Sequence, residues 1–195
     1  MHPALMVTAR TTLIALLLFP LFPSLIAAPQ DRDESLVCLF DSGVEDYVQL
    51  HRRLERFVPP EVITADPYQL FVARWALAAE IRGARSLARQ GDIFTPELAA
   101  MFRRIVARTL KEDEIDMTVF LAEDGMTLPI DVRVNGEYPA GGPVTTMPPS
   151  LLKALPALPP ELQYRFVNFN LILWDVHAGL IVDFVPNVFR RATAP

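Results

Sequence analysis

The chain has 195 residues, of which 51% are hydrophobic and 21% charged, and its formal net charge is −5. Such a chain forms one ordinary domain and is too apolar for a disordered protein. The net negative charge argues against broad nucleic-acid binding, which depends on Lys and Arg at phosphates. A single cysteine excludes an internal disulfide and a four-thiolate zinc site.

Residues 1–28 predict a cleavable signal peptide. They contain no acidic residue and one basic residue, Arg10, before an apolar run at 13–22. That run is too short to cross a bilayer as a helix, which takes about 20 residues. The segment ends on Ala28, a small residue of the kind found at secretory cleavage sites. We therefore expect an exported protein, periplasmic or extracellular, with no transmembrane anchor after cleavage. A buried N-terminal helix is the alternative.

The lone Cys38 does not fit a lipoprotein signal, because the bulky Val37 precedes it and charged residues separate it from the apolar run. We expect a buried free thiol, with pairing between two chains as the alternative.

Residues 29–195 predict a single α+β domain whose helical part covers about 36–122. Helix-capping patterns and amphipathic spacing place the helix starts at Ser42, Asp66 and Thr95. The first helix should end at Pro59 and the second near Gly91. A fourth helix is predicted over roughly 113–122.

The proline-rich connection at about 125–160 predicts mostly extended chain and turns. Within it we expect a strand at 130–134, a tight turn at Asn135–Gly136 and a short helix at 150–155. Three antiparallel strands should follow at about 164–185, forming a β-meander with turns at 168–170 and 177–179.

If each turn is symmetric about its middle residue, the first turn pairs Phe166 with Ile172 and Tyr164 with Trp174. The second turn pairs Trp174 with Val182 and Ile172 with Phe184. That register predicts an aromatic and aliphatic face toward the helices. Its members are Tyr164, Phe166, Ile172, Trp174, Val176, Leu180, Val182 and Phe184. The opposite face would present Leu171, Leu173, Ile181 and Val185 as a candidate partner surface.

Two histidines follow the predicted signal peptide, His51 and His177. His51 and Glu55 lie one helical turn apart, so both could reach one metal ion. The alternative is a core-edge histidine with a local hydrogen bond. His177, Asp175 and Asp183 are candidate catalytic residues for acid–base or metal-assisted chemistry. Their alternative is a polar turn with solvent-side carboxylates that hold Arg165.

The segment 52–109 is rich in arginine, with ten basic and six acidic residues. Arg74, Arg82, Arg85 and Arg89 on the second predicted helix could contact an anion or an acidic partner. Solvated helix faces are the alternative.

The sequence contains no Gly-rich phosphate loop, no Gly-x-Ser-x-Gly and no His-Glu-x-x-His motif. We therefore predict no cofactor. The segments 90–97, 134–139, 164–167 and 175–184 resemble a group of uncharacterised exported bacterial proteins. That resemblance implies a shared secreted fold and no assigned activity.

Two functions are therefore open. The favoured hypothesis is a non-catalytic periplasmic or cell-envelope domain that binds an unknown protein or envelope component. The alternative is a small metal-assisted or acid–base hydrolase that uses His177 with Asp175, or His51 with Glu55.

Overall fold

A computed structural model describes residues 29–60, 66–116, 131–138 and 147–189. Helices come first and an antiparallel sheet comes last, which confirms the predicted α+β class. The elements are α1 (Pro29–Glu55), α2 (Pro67–Ala84), α3 (Pro96–Glu112), α4 (Pro149–Ala154), β1 (Leu162–Val167), β2 (Asn170–Asp175) and β3 (Leu180–Val185). The predicted signal peptide lies outside the described residues. In the described part, no helix has the length and hydrophobicity that a membrane span needs.

Helix α1 is longer than predicted, since it is already formed at Pro29 and Ser42 lies within it as an exposed residue. Leu36 and Phe40 extend the apolar spacing of the helix toward its N-terminus, and both contribute to the core. Cys38 lies on the opposite, exposed side of the helix, so the prediction of a buried thiol was wrong.

The predicted starts of α2 and α3 are confirmed by their caps. The Asp66 carboxylate accepts the Tyr68 N–H at 3.0 Å, and the Thr95 hydroxyl accepts the Leu98 N–H at 3.4 Å. A proline follows each cap, where the missing N–H is not needed. Helix α2 ends at Ala84, well before the predicted stop at Gly91.

The predictions for the chain between α3 and the sheet are confirmed in part. Helix α4 confirms the short helix predicted at 150–155, and the tight turn at Asn135–Gly136 is present, with the Gly136 N–H donating to the Arg133 carbonyl at 3.0 Å. Residues 131–134 form no strand, although Glu137 makes an isolated bridge to Leu180. Residues 113–116 are not helical, and the rest of the predicted fourth helix lies outside the described residues.

The register of the β1–β2 hairpin differs from the prediction by one residue. The turn is two residues long, because Val167 pairs with Asn170, and Asn168 adopts the left-handed conformation at a φ of 53°. Phe166 therefore pairs with Leu171 and not with Ile172. Since alternate residues face opposite sides of a strand, this shift reverses the predicted sides of β2 relative to β1.

A bulge separates two registers between β2 and β3. Ile172 pairs with Phe184 as predicted, but Trp174 pairs with Ile181 and not with Val182. The register shifts between Leu173 and Trp174.

The candidate partner surface is consequently buried. Leu171, Leu173 and Val185 are fully buried in the main core beneath the helices. Ile181 is fully buried on the other side of the sheet, in a smaller cluster to which Val132 and Tyr138 contribute. The prediction that these four residues face a partner was therefore wrong.

The helices pack on the sheet through aromatic rings. Phe40 of α1 lies 5.6 Å from Phe94 and 5.0 Å from Phe102 of α3, measured between ring centroids, and 6.4 Å from Tyr164 of β1. Ring pairs at these distances add to the free energy of burial. This packing holds α1 and α3 against β1 of the sheet.

Candidate functional site

Three side chains of α1 form a row toward the end of β2. Tyr47, His51 and Glu55 follow one another at intervals of four residues, so they share one face of the helix. Tyr47 and His51 are buried, and Glu55 is 37% exposed at the end of the row. The row therefore runs from the core to the surface.

Asp175, the last residue of β2, organises the buried end of this row. Its Oδ2 accepts hydrogen bonds from the Tyr47 hydroxyl and from His51 Nδ1, each at 2.6 Å. Its Oδ1 accepts the backbone N–H groups of His177 at 3.0 Å and Ala178 at 2.8 Å. A fully buried carboxylate is stable here because four donors replace its water.

The contact with Asp175 decides which nitrogen of His51 is available. An ionised carboxylate only accepts hydrogen bonds, so Nδ1 carries the donated proton, and in the neutral ring Nε2 is left with a lone pair. Nε2 is buried, has no hydrogen-bond partner among the described residues and lies 3.7 Å from Oε2 of Glu55.

His177 approaches Glu55 from the other side. It lies in the turn after β2, and its Nδ1 lies 3.4 Å from Oε1 of Glu55. This Nδ1 is also buried and without a hydrogen-bond partner in the described part of the chain. The two imidazole rings are 5.4 Å apart between centroids. One ligand atom from each of His51, Glu55 and His177 lies within 4.8 Å of the other two.

A cleft of about 10 Å³ opens beside this cluster. Its lining residues are Glu55, Val58, Pro59, Ala73, Arg74, Leu77 and His177. A volume of this size holds a single water molecule or ion. Glu55 and His177 are each about one third exposed, so the cleft that they line opens to solvent beside the cluster.

The electrostatics of the cluster favour a positive charge at His51. Burial opposes protonation of the ring, but the hydrogen bond and charge of Asp175 and the charges of Glu55 and Glu161 outweigh it, so the pKa of His51 is raised. Burial and the Asp175 charge raise the pKa of Tyr47, which keeps its hydroxyl protonated as a donor.

The sequence-predicted pairs His51–Glu55 and Asp175–His177 are brought together into one site. From the sequence they were alternatives, because nothing in the spacing shows that α1 ends beside the turn after β2. Tyr47 was not predicted as a polar member of the site. The four-residue interval of Tyr47, His51 and Glu55 was the available signal.

Asp183 does not belong to this site. It is fully buried, and its carboxylate accepts the N–H groups of Gly91 at 3.0 Å and of Ile93 and Phe94 at 2.8 Å each. It also accepts its neighbour's N–H, that of Phe184, at 2.8 Å. Its surroundings are those of a structural carboxylate that fixes the loop before α3.

The expectation of solvent-side carboxylates that hold Arg165 was wrong. Asp175 and Asp183 are both fully buried. Arg165 donates instead to the Gln163 side chain at 2.6 Å and lies over the Trp174 ring at 5.6 Å from its centroid. The reversed register of β2 causes this difference.

The arginines of the second predicted helix have separate roles. Arg82 donates to Glu137 at 2.8 Å, and Arg85 donates to the carbonyl of Val182 at 3.1 Å and to the Asn135 side chain at 3.2 Å. These two therefore attach the 135–137 segment to the helix. Arg89 is exposed beyond the end of α2, and only Arg74 lines the cleft.

Comparisons with protein-family models, curated proteins and solved structures find no match to this chain.

Proposed function

We propose that the protein binds one divalent transition-metal ion, with zinc the best fit, through His51, Glu55 and His177, and that it is a metal-assisted hydrolase. The observation that carries this proposal is the convergence of two buried imidazole nitrogens, neither with a hydrogen-bond partner among the described residues, on one carboxylate. Buried polar nitrogens without partners are costly, and a metal ion would satisfy both.

The distances support a metal centre. Nitrogen and oxygen ligands about 2.0–2.1 Å from a tetrahedral zinc lie roughly 3.4 Å from one another. The distances here are 3.4 Å from His177 Nδ1 to Glu55 Oε1 and 3.7 Å from His51 Nε2 to Glu55 Oε2. One ligand atom of each residue lies within 4.8 Å of the other two, so the three ligands would move closer together around a bound ion.

Asp175 supports the same conclusion from behind the ligands. Metal-binding histidines commonly donate their second ring nitrogen to a carboxylate, which fixes the tautomer and strengthens the ligand. Asp175 holds His51 in this way at 2.6 Å.

Three side chains of the described residues can hold the ion, and this number favours catalysis over a purely structural role. Structural zinc sites have four protein ligands, whereas catalytic sites have three and retain a position for water. Bound zinc lowers the pKa of such a water toward neutrality, which supplies a nucleophile for hydrolysis. The small cleft beside Glu55 and His177 is where that water would lie.

The non-catalytic hypothesis, which the sequence favoured, loses its structural argument, because the residues proposed as its contact surface are buried. We retain as a proposal that the protein is exported and works in the periplasm or outside the cell. This proposal is supported by the composition of residues 1–28. Fractionation of cells expressing the full chain tests it, and retention in the cytosol would contradict it.

Metal binding is tested by zinc titration of the purified, tag-free protein against a chromophoric chelator. Glu55→Gln and His177→Ala change partly exposed ligands, so folding should survive, and Glu45→Gln on the exposed side of α1 is the matched control. We expect one zinc per chain, a loss of affinity of at least about 100-fold in each ligand variant, and no change in the control. Equal zinc affinity in all four proteins, or no binding by the unmodified protein, would overturn the proposal.

A further inference from the structure

Arg74 lies on α2 and is the only basic residue, apart from His177, among those that line the cleft. Its guanidinium carbon lies 5.9 Å from the centroid of the Trp174 ring. The guanidinium also lies against the backbone of Gly179, where a Cβ atom would collide with Nε. Glycine at position 179 thus allows Arg74 to rest on the same turn that carries His177.

This arginine has no ion pair and no side-chain hydrogen bond with any other described residue. Arg82 and Arg85 of the same helix region use their donors on protein groups. Contact with Trp174 occupies the flat face of the Arg74 guanidinium and leaves the N–H donors at its edge for a ligand. The guanidinium thus lines the same cleft as Glu55 and His177, with its N–H donors unused by other described residues.

We infer that Arg74 binds an anionic oxygen group, carboxylate or phosphate, of the molecule that reaches the metal site. This inference rests on the proposed function, since the metal ion brings the ligand into the cleft. The planar guanidinium matches both groups, because each can accept two parallel hydrogen bonds from it. The remaining walls are mostly apolar, formed by residues such as Val58, Pro59 and Leu77, so they offer no competing polar contact of this kind.

The size of the cleft limits how much of the ligand enters. About 10 Å³ accommodates one oxygen atom of the ligand beside Glu55 and His177. The rest of the ligand, including the other oxygens of its anionic group, must therefore lie outside the cleft beside Arg74. Arg74 is in this account a binding residue that selects anionic ligands.

The test uses the protein loaded with Co²⁺, whose visible absorption reports on its ligands. Acetate and inorganic phosphate are titrated in separate experiments into the unmodified protein, Arg74→Ala, Arg74→Lys and the exposed control Arg89→Ala. We expect at least one anion to change the spectrum, with affinity about tenfold or more weaker in Arg74→Ala and unchanged in Arg89→Ala. Arg74→Lys keeps the charge but not the planar donor pair, so it should fall between the two.

The outcomes separate the two proposals. Whichever anion responds to Arg74→Ala supports the inference and identifies the ligand class. Normal Co²⁺ binding with equal anion affinity in Arg74→Ala and the unmodified protein would overturn the inference and leave the metal site standing. Failure of the unmodified protein to bind Co²⁺ would overturn both.

Discussion

At the residue scale, the environment of each carboxylate determines its role. Asp175 and Asp183 are both fully buried on neighbouring strands. Asp175 accepts from two side chains as well as two backbone N–H groups, and one of those side chains has a second nitrogen directed at Glu55. Among the described residues, Asp183 accepts only backbone N–H groups. One carboxylate therefore supports the candidate site and the other supports a loop.

Replacing Asp175 with Asn should weaken metal binding about 10- to 100-fold, because the amide no longer polarises His51 or fixes its tautomer. Zinc affinity in the chelator competition measures this effect, with the exposed Asp46→Asn on α1 as the control. Zinc affinity that is equal in Asp175→Asn and the unmodified protein would contradict a supporting role for this carboxylate.

Replacing Asp183 with Asn should lower the free energy of unfolding by about 1–3 kcal/mol, since buried N–H groups of the loop lose an acceptor. Urea unfolding measures the change. The zinc affinity of the folded variant should stay unchanged. A loss of zinc affinity without a loss of stability would show that Asp183 belongs to the site.

At the element scale, the sheet shows what sequence patterns could and could not predict. The helix caps, the α+β order and the short helix α4 followed from local signals, because capping residues and proline act within a few positions. The register of β1 against β2 depended on whether the turn at Asn168 has two or three residues, and both lengths fit the sequence. The prediction of a three-residue turn placed Leu171 and Leu173 on the outer face of the sheet, whereas the two-residue turn places them in the core.

The candidate site was only partly predictable for a related reason. His51, Glu55, Asp175 and His177 were all recognised as candidates from their residue types and local spacing. These residues come together through a long-range contact, the hydrogen bond between His51 and Asp175, which lie 124 positions apart in the chain. No local pattern in the sequence encodes that contact.

The junction between α1 and β1 should make stability depend on pH. Glu161, just before β1, accepts a hydrogen bond from Arg52 of α1 at 2.6 Å. Burial opposes ionisation of Glu161, but the bond and charge of Arg52 outweigh it, so its pKa is lowered. A carboxylate whose pKa is lower in the folded state stabilises the fold above its unfolded pKa of about 4.3, and this stabilisation is lost as the pH falls through the folded value.

Urea unfolding of the unmodified protein and Glu161→Gln between pH 3 and pH 7 tests this dependence. The unmodified protein should be the more stable at pH 7, and the difference should shrink toward pH 3. A difference that stays constant over the range would show that the charge of Glu161 does not contribute.

At the scale of the whole molecule, the sheet is buried on both sides. The helices cover one side through Phe40 and Phe102, and the 131–138 segment contributes Val132 and Tyr138 to the other. In the described part of the chain, this leaves little of the sheet for a partner, and it places the end of β2 against the end of α1. The same packing that stabilises the domain therefore assembles the site.

Because the sheet is buried, truncating a leucine in it should lower the free energy of unfolding more than truncating an exposed leucine. Leu173→Ala should lower the free energy of unfolding by about 2–5 kcal/mol, because it leaves a cavity in the main core. Leu152→Ala, at a 52% exposed position on α4, should change it by about 0.5 kcal/mol or less. Chemical denaturation of both variants measures this, and similar small effects would restore Leu173 to a surface role.

The metal site is the central claim, and crystallographic anomalous scattering at the zinc edge tests it most directly. We expect one strong peak about 2.0–2.2 Å from Nε2 of His51, Nδ1 of His177 and a carboxylate oxygen of Glu55. A zinc-soaked crystal with no peak among these three residues, or with zinc bound only elsewhere, would contradict it.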